Sequence, residues 1–312
     1  MRAGPRAVSF VLGAGADALL GDPPNTWHPV HMAGVVARVY EGIAWARLGA
    51  PVAGALGAAG LPAMAGLLAT VVERAASTFP GGGVAAGAAM LAAASAQRTL
   101  MLRAVEVADA LEAGDLVEAR RLLGYHLVSR PTADLDAGEA AAAAVESVAE
   151  NLGDGVAGPW LAFAVAGAGG AWAYRTVNTL DSMWGYRTER YAEFGRAAAR
   201  LDDLANLLPA RAAALATCIA AERRLGRGRE AYGVWRRDGR RTESPNAGQP
   251  MAAMAGALGV TLAKRGHYVL GAGGREATAA DVRRAVAVAR EASVVLAVMS
   301  LGVIGLRGVW WG

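Results

Sequence analysis

The sequence predicts an all-α fold: a polytopic integral membrane helical bundle with interfacial and re-entrant helices, organised as a single domain over residues 1–312. Three observations predict it. Hydrophobic residues make up 54% of the 312-residue chain, and they come in long uncharged blocks rather than in the narrow stripes of a soluble core. Leu48–Val72 and Ala75–Gln97 contain no ionisable side chain, and each is long enough to cross the roughly 30 Å hydrocarbon layer as a helix. Nowhere do apolar residues alternate with a period of two or follow a βαβ rhythm, so no sheet is expected.

Taken in order, Ala7–Leu20 is a retained N-terminal helix, because Asp17 interrupts the apolar run and Gly21-Asp22-Pro23-Pro24 offers no signal-peptide cleavage site. The following segment to His31 is a turn, since its prolines disfavour helix. His28 and His31 are three apart, but Pro29 stands between them and no third ligand is near, so loop anchoring or substrate contact is expected rather than zinc. Val35–Leu48 mixes apolar residues with Arg38, Glu41 and Arg47 and reads as an interfacial helix. Gly81-Gly82-Gly83 after Pro80 can cut the second uncharged block and leave a shorter helix from Val84.

Arg98–Asp154 holds eleven acids against five arginines and reads as soluble-facing helices. One turns over at Gly114-Asp115, and another is capped by Pro131-Thr132-Ala133-Asp134 and runs to Glu150. Val294–Leu306 is a third apolar helix whose Arg307, Trp310 and Trp311 suit the headgroup level. Net charge is +4, and thirty of the thirty-one basic residues are Arg, with Lys264 the lone lysine. Eight Arg against three acids in Glu222–Arg241 suit a cytoplasmic face under the positive-inside rule. The aromatic interleaving of a nucleic-acid surface is sparse there, so no nucleic-acid partner is expected. Cys218 is the only cysteine, which excludes a disulfide framework and a thiolate metal cluster.

Chemistry concentrates between Glu146 and Arg211. Glu146, Glu150 and Asp154 follow at four-residue steps, which leaves all three on one face of a helix, with Asn151 beside them. Such oxygen ligands suit magnesium, which takes one or two carboxylates together with substrate phosphates; the bland alternative is a solvated acidic stripe. A second cluster follows: Asn178 and Asp181, then Arg200, Asp202, Asp203 and Asn206, with Arg211 beyond Pro209. Arginines pair with phosphate while aspartates hold the cation that screens it, unless they are salt bridges between helices. Glu243–Pro250 is a polar loop containing Ser244 and Asn246, with Pro250 placed to open a helix over Met251–Leu262 whose free amides could bind an anion. There is no Walker A sequence, and no Ser-His-Asp or Cys-His order stands out.

A straight span from Gly155 to Tyr174 would part the two acidic clusters by roughly 30 Å. Gly167-Ala168-Gly169-Gly170 offers a reversal instead, making Val156–Ala166 and Ala171–Trp184 a short re-entrant hairpin that pairs Asp154 with Met183 and Val156 with Asp181.

Five ordered motifs carry a resemblance. These are Gly21-Asp22-Pro23-Pro24 with His28-Pro29-Val30, Glu146 through Gly155, Asn178-Thr179-Leu180-Asp181-Ser182-Met183-Trp184-Gly185-Tyr186, Ala199 through Asp203 with Pro209-Ala210-Arg211, and Ser244-Pro245-Asn246-Ala247-Gly248. Over nearly the whole chain the sequence resembles the CobD/CbiB family of cobalamin biosynthesis. The resemblance implies a cytoplasmic-membrane enzyme, an adenosylcobinamide-phosphate synthase, whose site faces the cytoplasm. It implies an ATP-consuming ligase that joins a carboxylate of adenosylcobyric acid to aminopropanol phosphate or a related amino alcohol as an amide, with the Mg2+ expected from the carboxylate clusters.

On the matching motifs, Glu146, Glu150, Asp154, Asp181, Arg200 and Asp202 are expected to act in catalysis. Asp22, His28, Asn151, Asn178, Tyr186, Asn206, Arg211, Ser244 and Asn246 are expected to bind substrate, and Glu150, Asp154, Asp181, Asp202 and Asp203 to hold the metal. The chain departs from the family pattern at Arg130-Pro131, at Met251, and at Leu262–Gly266 before Tyr268. Two rivals use the same features: a magnesium-dependent intramembrane transferase of a diphosphate, and a transporter.

Overall fold

The computed structural model describes residues 3–22, 28–186 and 188–310. Pro23, Pro24 and Trp27 of the expected turn lie outside the described residues, as do Trp311 and the side chain of Trp310. Helix dominates. In chain order the first half forms α1 (Ala3–Leu20), α2 (Pro29–Leu48), α3 (Ala50–Ala76), α4 (Gly82–Ala94), α5 (Gln97–Glu112), α6 (Leu116–His126) and α7 (Ala137–Asn151). A six-residue π turn (Leu152–Ala157) leads into α8 (Gly158–Trp184), followed by α9 (Tyr191–Phe194), α10 (Arg196–Ala205), α11 (Leu207–Leu225), α12 (Gly228–Asp238) and α13 (Gly248–Leu258). A two-stranded antiparallel ribbon, β1 (Leu262–Lys264) with β2 (Tyr268–Leu270), and the long α14 (Ala279–Trp310) complete it. The ribbon is the only sheet among the described residues, so the all-α expectation holds.

The chain packs as two compact units: one comprises Met1–Ala96, Gly158–Asn206 and Met299–Gly312, the other Gln97–Ala157 and Leu207–Val298. Among the described residues, two unbroken helices are long and apolar enough to cross a membrane, α3 and Ala279–Arg307 of α14. The first matches Leu48–Val72, and the second extends the expected Val294–Leu306 at both ends. On α3, Leu56, Met64, Leu67, Leu68 and Val71 are exposed, whereas Gly54, Gly57 and Gly66 are buried. In lipid, packing of this kind puts small residues inward so that backbones approach, and leaves the large apolar ones to the acyl chains. Gly66 shows the principle, since an added Cβ would lie 2.8 Å from the Gly169 carbonyl oxygen of α8.

The expected second span, Ala75–Gln97, does not form. The chain turns over Ser77–Gly81, where Gly81 takes φ +72°, and α4 has only 13 residues, about 20 Å of helix and too short to span. It packs instead on α1, where an added Cβ at Gly13 would meet the Ala88 carbonyl at 2.6 Å and Ser9 Oγ donates to Val84 O at 3.1 Å.

Ala137–Trp184 also satisfies the length and hydropathy of a span, but it is no straight helix. Gly167 adopts φ +68°, ψ −155°, a conformation essentially reserved for glycine, and the chain reverses there. A Cβ on Gly158 would fall 2.0 Å from Cζ of Tyr174, and one on Gly170 would fall 2.3 Å from the Ala162 carbonyl; residues sixteen apart in a straight helix would be about 24 Å apart. Both pairs are symmetric about Ala166, so the reversal comes about two residues earlier than Gly167–Gly170 implied, and the expected pairing register shifts with it. Arg6 of α1 holds the tip, with Nη1 donating to Val165 O at 3.4 Å. The two arms lie on α4, where Trp160 Nε1 donates to Ser95 Oγ at 3.0 Å and Trp172 Nε1 to Met90 O at 3.1 Å.

The second unit opens with α5 and α6 joined at Gly114-Asp115 as expected, Asp115 capping α6. The cap of α7 falls at Asp136 rather than in Pro131–Asp134. Asp136 Oδ1 accepts from Glu139 N at 2.8 Å while Glu139 Oε2 accepts from Asp136 N at 3.1 Å, a reciprocal capping box. The helix expected over Met251–Leu262 starts at Gly248 and stops at Leu258, where Gly259 turns left-handed at φ +68°.

Candidate active site

In the first unit the second arm of the hairpin delivers Tyr174, Arg175, Asn178 and Asp181 toward α10. A polar chain forms there: Arg175 Nη1 donates to Asn178 Oδ1 at 3.4 Å, Asn178 Nδ2 reaches Asp202 Oδ1 at 3.5 Å, and Asn206 Nδ2 donates to Asp202 Oδ2 at 2.9 Å. Tyr174 closes it, its hydroxyl donating to Asn206 Oδ1 at 2.6 Å. Asp202 is 9% exposed, and its partners are two neutral carboxamides rather than a guanidinium. Among the described residues, a buried carboxylate so placed has hydrogen bonds but no ion-pair partner.

Asp181 and Asp203 are part-exposed. Arg200 is exposed, two residues and therefore about 200° around the helix from Asp202, so the two do not share a face. Tyr186 is 48% exposed at the end of the motif. His28 caps α2, its Nδ1 accepting from Val30 N at 3.2 Å while Nε2 lies 3.7 Å from Asp22 Oδ1. This is the loop-anchoring geometry anticipated for it.

In the second unit Glu146 is 5% exposed and accepts from Arg130 Nη2 at 3.1 Å. Glu150 lies one turn on and Asp154 follows inside the π turn, both part-exposed. The helix widens into the π turn at Leu152, where the backbone bonds five residues on rather than four. Asn151 turns its amide back to Ser147 O at 3.0 Å. The π turn packs on α11 and α13, with Gly153 close to Ala210 and Pro250. Arg211, one residue on, donates to Asn246 Oδ1 at 3.1 Å and to Leu207 O at 2.8 Å, and Ser244 Oγ accepts from Asn246 N at 3.2 Å. Two expected substrate-binding residues, Arg211 and Asn246, thus meet.

The expected anion site at the start of α13 does not exist: Gly248 N donates to Thr242 Oγ1 at 3.0 Å and Gln249 N to Asn246 O at 2.9 Å, and Pro250 has no N–H. Among the described residues no three of His, Cys, Asp and Glu converge into a ready-made metal cage. Asp202 nonetheless fits magnesium, which needs only one or two carboxylates when phosphate and water complete its shell.

Sequence reasoning missed three neighbours of Glu146. Arg130 is one; Lys264 and Tyr268, on the ribbon, are the others, near enough to bear electrostatically on its carboxylate, while the Tyr268 hydroxyl lies 3.9 Å from Met251 Sδ. Burial, then the charges of Glu146 and Glu150, push the Tyr268 phenol well above its usual range, so it stays a hydrogen-bond donor. The available signal was the Leu-Ala-Lys and Tyr-Val-Leu alternation, only three residues per strand.

The family model for CobD/Cbib protein matches residues 10–290. A cobalamin biosynthesis protein CobD of Geobacter metallireducens is 46% identical over 251 residues, 79% of this chain and 78% of the relative. The protein of the same description from Mycobacterium tuberculosis H37Rv is 42% identical over 306 residues, 94% and 95% of the two chains, and that of Dehalococcoides mccartyi is 37% identical over 311 residues. No solved structure matches. With the family model spanning most of the chain and relatives aligned nearly end to end, this multi-pass membrane protein belongs to the CobD/CbiB family.

Proposed function

We propose that the protein is an ATP-dependent ligase of the cytoplasmic membrane that joins adenosylcobyric acid to aminopropanol phosphate, or a related amino alcohol phosphate, giving adenosylcobinamide phosphate. The family membership supports the corrinoid pathway, and one structural observation supports the chemistry: a buried aspartate, Asp202, held by two neutral carboxamides and, among the described residues, in no ion pair. Bound magnesium would supply charge stabilisation for a transferring phosphoryl group.

Asp202 is the carboxylate best placed to hold that ion, with Asp181 and Asp203 of the same unit as further ligands from their motifs. Asn178 and Asn206 fix both oxygens of Asp202, and Tyr174 fixes Asn206 in turn, so the carboxylate is oriented before substrate arrives. Arg211 presents a guanidinium for phosphate, oriented by Asn246. In the reaction the corrinoid carboxylate attacks the γ-phosphorus of ATP and ADP leaves. The amine then attacks the acyl phosphate, inorganic phosphate departs, and one proton is released. Glu146, beside Arg130, is a carboxylate available to take that proton.

Mass spectrometry of products from purified protein, adenosylcobyric acid, ATP, magnesium and each candidate amine phosphate tests the reading. An amide product with one ADP per turnover supports it; a transporter would move solute without forming an amide, and a diphosphate transferase would release pyrophosphate.

A further inference from the structure

Pairing in the ribbon sets Leu262 opposite Leu270 and Lys264 opposite Tyr268. Side chains alternate along a strand, and directly opposed residues share a face. Leu262 and Leu270 are fully buried while Ala263 and Val269 are exposed, so Lys264 and Tyr268 stand on the inward side. That side meets α7 at Glu146, and Arg265 in the turn clamps the ribbon to Glu139 of α7 at 2.6 Å.

Lys264 is also the only lysine among thirty-one basic residues. Wherever a long cation suffices, this chain uses arginine; here it has an ammonium, a compact point charge with three rotatable donors that fits where a planar guanidinium does not. Neutralising Glu146 does not require it, because Arg130 already pairs with that carboxylate. Arg130 and Lys264 both act on Glu146, with Glu150 beside it, and a magnesium–phosphate unit could dock here with metal toward carboxylate and phosphate toward ammonium.

We propose that the β1–β2 ribbon forms a wall of a phosphate site within the second unit, beside Glu146 and Glu150, and that Lys264 binds a phosphate oxygen of a magnesium-bound phosphate ester there. This rests on the magnesium–phosphate reading given above. The ester is either the nucleotide or the phosphorylated amine, and one experiment separates them. Full-length protein in detergent is titrated calorimetrically, with magnesium present, by a non-hydrolysable ATP analogue and separately by aminopropanol phosphate.

Lys264→Ala should weaken one of these ligands at least tenfold, which identifies it, with unchanged circular dichroism; Lys264→Gln serves if the alanine variant fails to fold. Lys264→Arg should recover only part of the loss. Lys264→Cys alkylated with 2-bromoethylamine, which restores an ammonium at nearly the same reach, should recover most of it, Cys218 being buried. Equal affinities of wild type and Lys264→Ala for both ligands overturn the proposal, as does a wild type that binds neither. A wild type that binds through Lys264 yet makes no amide would sink the ligase reading alone.

Discussion

Replacing Gly158 by alanine places a methyl carbon 2.0 Å from Cζ and 2.1 Å from the hydroxyl oxygen of Tyr174. Carbon atoms pack at about 3.5 Å or more, so the ring must retreat by about 1.5 Å. It has little room, being 6% exposed with its hydroxyl donating to Asn206 at 2.6 Å. Overpacking of this sort costs about 1–3 kcal/mol, and losing the tyrosine–asparagine hydrogen bond adds about 0.5–1.5 kcal/mol. Gly158→Ala should therefore destabilise the protein by about 2–4 kcal/mol and slow the reaction, because Asn206 and Asp202 lose their anchor.

The informative experiment is a double-mutant cycle read by unfolding in mixed micelles. Tyr174→Ala alone should cost about 3–5 kcal/mol. In that background the added methyl meets empty space and should be neutral, or stabilising by up to about 1 kcal/mol through helix propensity. A coupling of about 2 kcal/mol or more is expected. If the two substitutions add within about 0.5 kcal/mol, Gly158 and Tyr174 do not touch, and the reversal at Gly167 is wrong.

Three further outcomes are expected. Asp181→Asn should lower turnover about a hundredfold or more through lost charge stabilisation while the protein stays folded in membrane; near-normal turnover at saturating magnesium would remove Asp181 from the metal site. Arg211→Lys should lose nearly as much activity as Arg211→Ala, because a lysine cannot keep the fork that bonds Asn246 and, on the proposed reading, would bond phosphate as well; full activity with lysine would make the role long-range electrostatic. Burial alone would raise the carboxyl of Asp238, but hydrogen bonds from Arg237 and Gly271 N and the charge of Arg241 outweigh it and hold it below the usual range. Its contribution to stability should be complete above the unfolded-state value near about 4 and disappear as pH falls through the lower folded value. Asp238→Asn should lose that acid-dependent part, and unfolding curves with the same pH slope in both proteins would contradict it.

Sequence made some of this legible because composition leaves few alternatives. An uncharged block the length of α3 has nowhere to go but lipid or a large core, and glycines at 167, 169 and 170 announce a reversal because one of them must take positive φ. The centre of that reversal was placed late, since nothing in the residue types says which glycine bears the strain. Other features depend on hydrogen-bond register. The π turn at Leu152–Ala157 uses the same residues an α-helix would, and nothing in their types announces the wider turn. Asn178 and Asp202 were both visible as candidates, but their meeting follows from tertiary packing of the hairpin on α10. The ribbon was missed for a different reason: three residues per strand are too few to show a period of two.

The central claim is that this membrane protein makes an amide at the expense of ATP, and reconstitution tests it most directly. Purified full-length protein in liposomes would receive adenosylcobyric acid, ATP, magnesium and aminopropanol phosphate, with mass spectrometry following corrinoid and nucleotide together. The account predicts a corrinoid product heavier by aminopropanol phosphate less one water, appearing in step with ADP and inorganic phosphate, and reduced about a hundredfold or more in Asp202→Asn. Unmodified corrinoid after complete incubation, or product formed equally well without ATP, would contradict it.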